Sequence, residues 1–333
     1  MSEIIKLKQM ALDVYNNTPN SNFSTGQIED SLRKELRDMV YTDGKLNYWK
    51  YQENKIKIFQ LISETIDVIL PSRVEKTLDK FVETRTFGQG DKPRFKVKKG
   101  KGRVKNFITK VGAGGNYEVA QMDSAYIDIN IEARGGGVLV DFEGFLDGNQ
   151  SLIDLYDALI DGLEYKIYMD IQEAIKATTS AMPTANYATH AGFDATKMKG
   201  LINTVSAYGT PNIFSTRTFA MGVVPDTNFI SDADKSDVRE QGYIGKYVGA
   251  NLIILPQSFT DETNTASVLD NQYGYVIPTG EEKITKLAFE GDAIIDELKN
   301  ADHSLEFQVY KKYGIVILHT NQYGIFRNTA LTA

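Results

Sequence analysis

The side chains that could do chemistry are mostly carboxylates, and they fall in small groups: Asp232, Asp234, Asp237 and Glu240, the pair Glu281-Glu282, and the pair Asp296-Glu297. Paired acids can cleave a glycosidic bond or hold a metal, but only where separate elements bring them together. Scattered along one chain, they read more simply as solvated faces or subunit contacts. The three histidines, His190, His303 and His319, show neither H-x-x-x-H nor H-E-x-x-H spacing, and no cysteine exists to complete a zinc site. A serine triad would have to recruit one of these isolated histidines, and no G-x-S-x-G elbow is present. G-x-x-x-x-G-K-[ST] and G-x-G-x-x-G are also missing, so Gly112-Ala113-Gly114-Gly115 reads as a turn and not as a phosphate cradle. The expectation is a chain with no catalytic residue, no cofactor and no metal.

The sharpest local feature is basic. Residues 92–110, KPRFKVKKGKGRVKNFITK, carry nine Lys or Arg and no acid, although the whole chain has a net charge of −7. Lys92, Arg94, Lys96, Lys98, Lys99, Lys101, Arg103 and Lys105 are interleaved with Phe95, Val97 and Val104, and Gly100 and Gly102 mark turns. An exposed β-hairpin fits this pattern better than a helix. It can be read as a solvated loop, as a nucleic-acid contact with Phe95 and Phe107 for stacking, or as a strap reaching an acidic neighbouring subunit. The acidic remainder of the chain favours the strap, and argues against a general nucleic-acid binder.

The 333 residues, 42% hydrophobic and 24% charged, suffice for one large or two moderate cores. The longest apolar runs, such as 252–255 and 315–318, fall far short of the roughly 20 residues of a membrane helix. The start, Met1-Ser2-Glu3-Ile4-Ile5-Lys6, lacks the pattern of a secretory signal, so the product is expected to stay in the cytoplasm where it is made. Absence of cysteine suits that compartment without proving it.

Positioning these features requires a definite order of elements. Residues 1–50 suggest an arm lying on a surface, with short helices at 5–14 and 28–40. Between 56 and 82 the apolar spacing, interrupted by Pro71, predicts two short helices meeting at a bend. After the basic hairpin, alternation at 127–133 predicts a half-buried strand, Gly135-Gly136-Gly137 a turn, and 138–142 a further strand. Leu152, Leu155, Tyr156, Leu159, Leu163, Ile167, Ile171 and Ile175 fall at helical spacing, predicting a helix over 151–179, with Asn149 or Ser151 as its cap. At 1.5 Å per residue it would be roughly 40 Å long. Its apolar stripe should pack on the strands near 127–133 and 307–318. Beyond Pro183 comes mixed α/β sequence: a helix at 194–208, segments at 218–224 and 236–241, and a strand at 251–255. The tail is strand-rich at 275–278, 304–310 and 315–320, with a turn expected at Lys312-Tyr313-Gly314. No internal repeat is evident.

This order resembles the HK97-type capsid subunit of tailed bacteriophages. The stretch EQGYIGKYVGANLII at 240–254 is similar to the axial-domain pattern G-x-[IL]-G-x-[YFI]-x-G-[AV]-x-[VIL] of that family, and FQVYKKYGIVI at 307–317 resembles its returning peripheral strands. The resemblance covers about residues 56–333. It implies an α+β, HK97-like fold: an N-terminal arm with short helices (1–86), an extended loop (87–120), a peripheral domain (121–183 and 270–333) built on the spine helix, and an axial domain (184–269). It implies a shell subunit without enzymatic activity, assembling with copies of itself through hexamers and pentamers around phage double-stranded DNA, with a portal protein and room for scaffolding or decoration proteins, and no membrane. Gly242, Gly245 and Gly249 would then lie near the capsomer axis. An encapsulin-like nanocompartment shell is the alternative on the same fold, and a hydrolase using paired carboxylates the alternative from another class.

Overall fold

The computed structural model describes residues 3–16, 25–99, 123–139, 152–224, 232–280, 283–299 and 305–332. Among them it is an α+β structure.

The chain opens with helices α1 (Glu3–Tyr15) and α2 (Thr25–Val40), a small hairpin β1 (Tyr41–Thr42) and β2 (Lys45–Leu46), and the long helix α3 (Tyr48–Leu78). Asn47 caps α3: its side-chain oxygen accepts from the amides of Trp49 and Lys50 at 3.1 and 3.2 Å. The two helices expected on either side of Pro71 are therefore one. Proline forfeits a single backbone bond, but the buried stripe continues through Ile66, Ile69 and Leu70 before it to Val74 and Leu78 after it, and packing overrides the local break. Nor is the N-terminal region only an arm on a surface. Leu7, Ala11, Leu32, Leu36 and Val40 are buried in the main apolar cluster with α3.

Next come β3 (Val82–Phe87), then β4 (Arg94–Lys99) paired antiparallel with β5 (Asp123–Asp128), then β6 (Glu132–Leu139) and helix α4 (Leu152–Ala177). The helix predicted over 151–179 is thus present, while the expected caps at 149 and 151 lie outside the described residues. The single strand expected at 127–133 is split between β5 and β6. Gly135-Gly136-Gly137 is not a turn but part of β6, which pairs with β13. A side chain at Gly135 would put its Cβ 2.8 Å from the Val309 carbonyl oxygen, so glycine there answers a close strand approach.

After α4 follow β7 (Tyr187–His190), α5 (Ala195–Ser206), β8 (Thr210–Ser215), α6 (Arg217–Met221), α7 (Asp232–Gln241), β9 (Lys246–Tyr247) and β10 (Ala250–Ile254). The chain closes with β11 (Tyr273–Thr279), the long strands β12 (Thr285–Lys299) and β13 (Leu305–Ile317), and β14 (Gly324–Asn328). Strand β13 runs without a turn through Lys312-Tyr313-Gly314, contrary to expectation. At Gly314 the chain passes against the Asn130 carbonyl, and an added Cβ would sit 2.6 Å from Ile129 Cγ2. Both glycine signals read as turns were close approaches.

Two sheets organise these strands: a four-stranded sheet ordered β3-β12-β13-β6 and a six-stranded sheet ordered β7-β14-β11-β8-β10-β9. Strands β11 and β14 belong to the second sheet. Helix α4 packs on α3, β13 and β6 with Leu159, Leu163, Ile167 and Ile171 buried. In the six-stranded sheet, alternate residues serve two cores. Phe214, Tyr275 and Ile325 join the main cluster, while Ile213, Val276 and Phe326 pack with Met198, Leu201 and Val205 of α5. Phe81 against Phe214, with ring centroids 4.7 Å apart, and Lys176 bonded to Asp270 at 2.6 Å tie the two sheets' layers together.

Candidate assembly surfaces

The basic hairpin is built on alternation. Phe95 and Val97 turn inward and are 1% and 2% exposed, while Lys92, Arg94 and Lys96 are exposed. Cross-strand register sets Arg94 opposite Asp128 and Lys96 opposite Tyr126, so an outer face of charged and aromatic residues forms along the ribbon. Arg94 Nε pairs with Asp128 at 2.8 Å, and the Tyr126 ring is 65% exposed. Underneath, Phe95 packs with Ile129 and Ala288, meets Phe87 edge-on at 6.0 Å, and lies 4.9 Å from the Arg85 guanidinium. At this end the inner face therefore rests on the chain's own sheet. Lys98 and Lys99 lie on β4, and Lys101, Arg103 and Lys105 fall outside the described residues.

Two buried lysines that sequence patterns did not single out hold the sheet on which the hairpin rests. Lys286 on β12, 2% exposed, donates to Glu83, its cross-strand neighbour on β3. Burial alone would push the Glu83 carboxyl up, but the bonds from Lys286 and Arg85 outweigh it and leave its pKa below the usual range. Lys311 on β13, 1% exposed, donates to Asp67 of α3 at 2.5 Å and to the Gly291 carbonyl at 2.6 Å. The same Asp67 accepts from the Ala293 amide at 2.9 and 3.0 Å. These contacts fix a bulge in β12, where the register with β13 jumps between Glu290 and Ile294 and Gly291 adopts φ +64°. Glu290 reaches from the bulge to the Gly90 amide at 2.9 Å, in the loop leading to β4. The signal available for this node was long-range pairing, which a single sequence does not display.

Along the outer edge of the bulge, Lys55, Ile56, Phe59, Gln60 and Ser63 of α3 face Ala293–Asp296 across an open groove. Ile56 is 72% exposed and Ile294 41%.

The glycines predicted for the capsomer axis sit around a two-residue turn. Strands β9 and β10 pair through Tyr247 and Ala250, and Val248 and Gly249 between them have φ of +48° and +79°, the signature of a tight primed turn. Gly242 ends α7 at φ +84°. Gly245 precedes β9, and its carbonyl accepts from the Leu252 amide at 2.9 Å. Val248, Met221 and Val224 are exposed apolar residues of this region. The structure brings Gly245 and Gly249 together around β9 and keeps the hairpin cations in a separate group.

The acid groups named above fall on separate elements where they are described, and Glu281-Glu282 lie outside the described residues. Asp232, Asp234, Asp237 and Glu240 share α7, and Asp296-Glu297 lie on β12. Among the described residues no three His, Asp or Glu come together as a metal site, and no helix is long and apolar enough to cross a membrane.

Residues 6–327 match the family described as SPbeta prophage-derived putative capsid protein YonB. The chain belongs to this capsid-protein family. No curated protein sequence matches it. Among solved structures it is similar to the capsid of the cyanophage P-SCSP1u, with 11% identity, 76% of this chain and 88% of that chain covered, and a TM-score of 0.49. It is also similar to the mature capsid of bacteriophage PhiM1, with 10% identity, coverage of 76% and 86%, and a TM-score of 0.48. A third similarity is to the SrpI encapsulin complex of Synechococcus elongatus PCC 7942, with 9% identity, coverage of 75% and 86%, and a TM-score of 0.45. Within this capsid family the order of elements agrees with the HK97-type subunit that the sequence resembles: helices, a paired β4–β5 ribbon, a long helix on a sheet, and a second α/β layer.

Proposed function

We propose that the chain is the major capsid subunit of a tailed phage, assembling with itself through hexamers and pentamers into an icosahedral shell around double-stranded DNA. The observation that carries this reading is the capsid-family match across residues 6–327. A basic hairpin on an otherwise acidic chain supports it, because repeated contacts of opposite sign suit self-association. The hairpin cations act as the strap to a neighbouring subunit, and the turn at Gly249 lies at the capsomer axis. Portal, scaffolding and decoration proteins would be the further partners, and the virion the final location. Expression alone, followed by negative-stain imaging, tests the reading. Closed shells are expected; tubes would indicate a tail component, and uniformly small particles would overturn the shell assignment. Shells formed during infection should contain DNA, whereas shells that take up a protein cargo and no DNA would mark a nanocompartment.

A further inference from the structure

Strand β12 is paired on one side along nearly its whole length by β13, but on the other side β3 covers only 285–290. Among the described residues no strand pairs with 294–299 on that side. At the start of this stretch the backbone of Ala293 is already used there: its amide donates to Asp67, and its carbonyl accepts from Ser63 of α3. Backbone groups alternate in direction along a strand, so those of Ile295 and Glu297 point the same way, toward the groove. The groove floor is α3, with Ile56 and Phe59, and Ile294 and Asp296 form its strand wall. An unpaired edge beside exposed apolar side chains is a template for an added strand.

The chain itself holds a strand suited to that edge. Strand β4 spans six residues, as does 294–299, and among the described residues it is paired only with β5. Its inner face is committed to its own subunit through Phe95, so what it offers outward is its free edge and two exposed cations, Lys96 and Arg94, the second also paired with Asp128. The β12 edge offers the opposite sign, with Asp292 and Asp296 both exposed against one lysine, Lys55, among the lining residues. Two β12 edges would instead oppose acid to acid.

We infer that the groove between α3 and the 294–299 edge of β12 accepts strand β4 of a second copy, adding it to the four-stranded sheet, with Asp292 and Asp296 meeting Arg94 and Lys96. This rests on the strap reading above and names its receptor. Glu297→Pro removes an outward amide while leaving pairing to β13 intact, and Glu297→Ala is its control. Folded Glu297→Pro subunits should lose shell formation, and Glu297→Ala should keep it. Independently, Asp292→Lys with Asp296→Lys should lose shells, and combining them with Arg94→Glu and Lys96→Glu should restore them. If the hairpin reversals alone abolish shells while Glu297→Pro and the acid reversals assemble like wild type, the strap stands and this receptor is refuted. If the hairpin reversals leave assembly unchanged, both fail. Should Glu297→Pro not fold, the charge swap decides: no rescue overturns the inference.

Discussion

Lys311 and Asp67, 244 residues apart in the chain, meet at 2.5 Å beneath the bulge of β12, and through them α3 holds the bend of the long strands β12 and β13. Removing one partner of such a pair leaves the other buried without compensation. Lys311→Met should therefore destabilise the subunit by about 3–5 kcal/mol, and adding Asp67→Asn should recover part of that loss. Urea unfolding of the two single variants and the double variant measures the coupling.

The same pair carries a pH signature. Burial is the largest influence on Asp67 and keeps its pKa above the ordinary 3.8, despite the bonds from Lys311 and Ala293 that pull it down. A carboxyl raised in the folded state contributes stability that is present below its unfolded value and is lost as pH rises through the folded one. Without Lys311 the carboxyl rises further, so the Lys311→Met deficit should be largest at neutral pH and narrow as pH falls toward the raised value. A deficit independent of pH across that window would show that Asp67 is not the group left uncompensated.

The stripe of α4 gives a test of the layer that carries both sheets. Leu163 is 5% exposed and Ile167 0%, and each faces the main cluster. Leu163→Asp or Ile167→Asp places an unpaired charge there, at a cost of several kcal/mol, and should yield insoluble or unassembled protein. Normal solubility and assembly of either variant would contradict the packing of α4 described above.

Glycine substitutions separate close approach from turn. Gly314→Ala should destabilise by about 1–3 kcal/mol, because its Cβ would meet Ile129 and the Asn130 carbonyl, whereas Gly136→Ala meets nothing within 4 Å and should be tolerated. At the β9–β10 turn, Val248 holds φ +48°, a conformation that β-branched residues resist, so Val248→Asn should raise the thermal midpoint of the isolated subunit. If Val248 also contacts a neighbour, as its exposure and the axial reading suggest, the same variant should assemble less well.

For the hairpin, reversing Lys96, Lys98, Lys99 and Lys101 together to Glu should leave a folded subunit that fails to form stable shells. Each exposed ion pair contributes under about 1 kcal/mol, so single reversals should act weakly, and high salt should weaken wild-type assembly. Normal assembly with poor DNA packaging would turn the hairpin toward the genome.

Residues with a strong local rhythm were legible in the sequence. The stripe from Leu159 to Ile175 gave α4, the helix expected over 194–208 is present as α5, and the alternation of cations with Phe95 and Val97 gave β4. What misled was punctuation. Pro71, the glycines at 135–137 and Gly314 are ordinarily breaks, but here tertiary packing carries a helix through the first, and at Gly135 and Gly314 it brings strands too close for side chains. Lys286 and Lys311 look like surface lysines in the sequence; only the fold brings Glu83 and Asp67 to them.

The place of β14 governs when the subunit can become competent. It lies between β7 and β11, and it is the only strand that joins β7 to the six-stranded sheet among the described residues. During synthesis, β7 emerges from the ribosome long before residues 324–328 do. Until they arrive, the second layer has an unfilled slot and its outermost strand is unattached. Strands β12 and β13 lie between β11 and β14 in the chain but pair in the four-stranded sheet, so both are synthesised before the strand that fills that slot. A nascent chain therefore cannot display a finished second layer to its neighbours, which delays association until nearly the whole chain described here has been made.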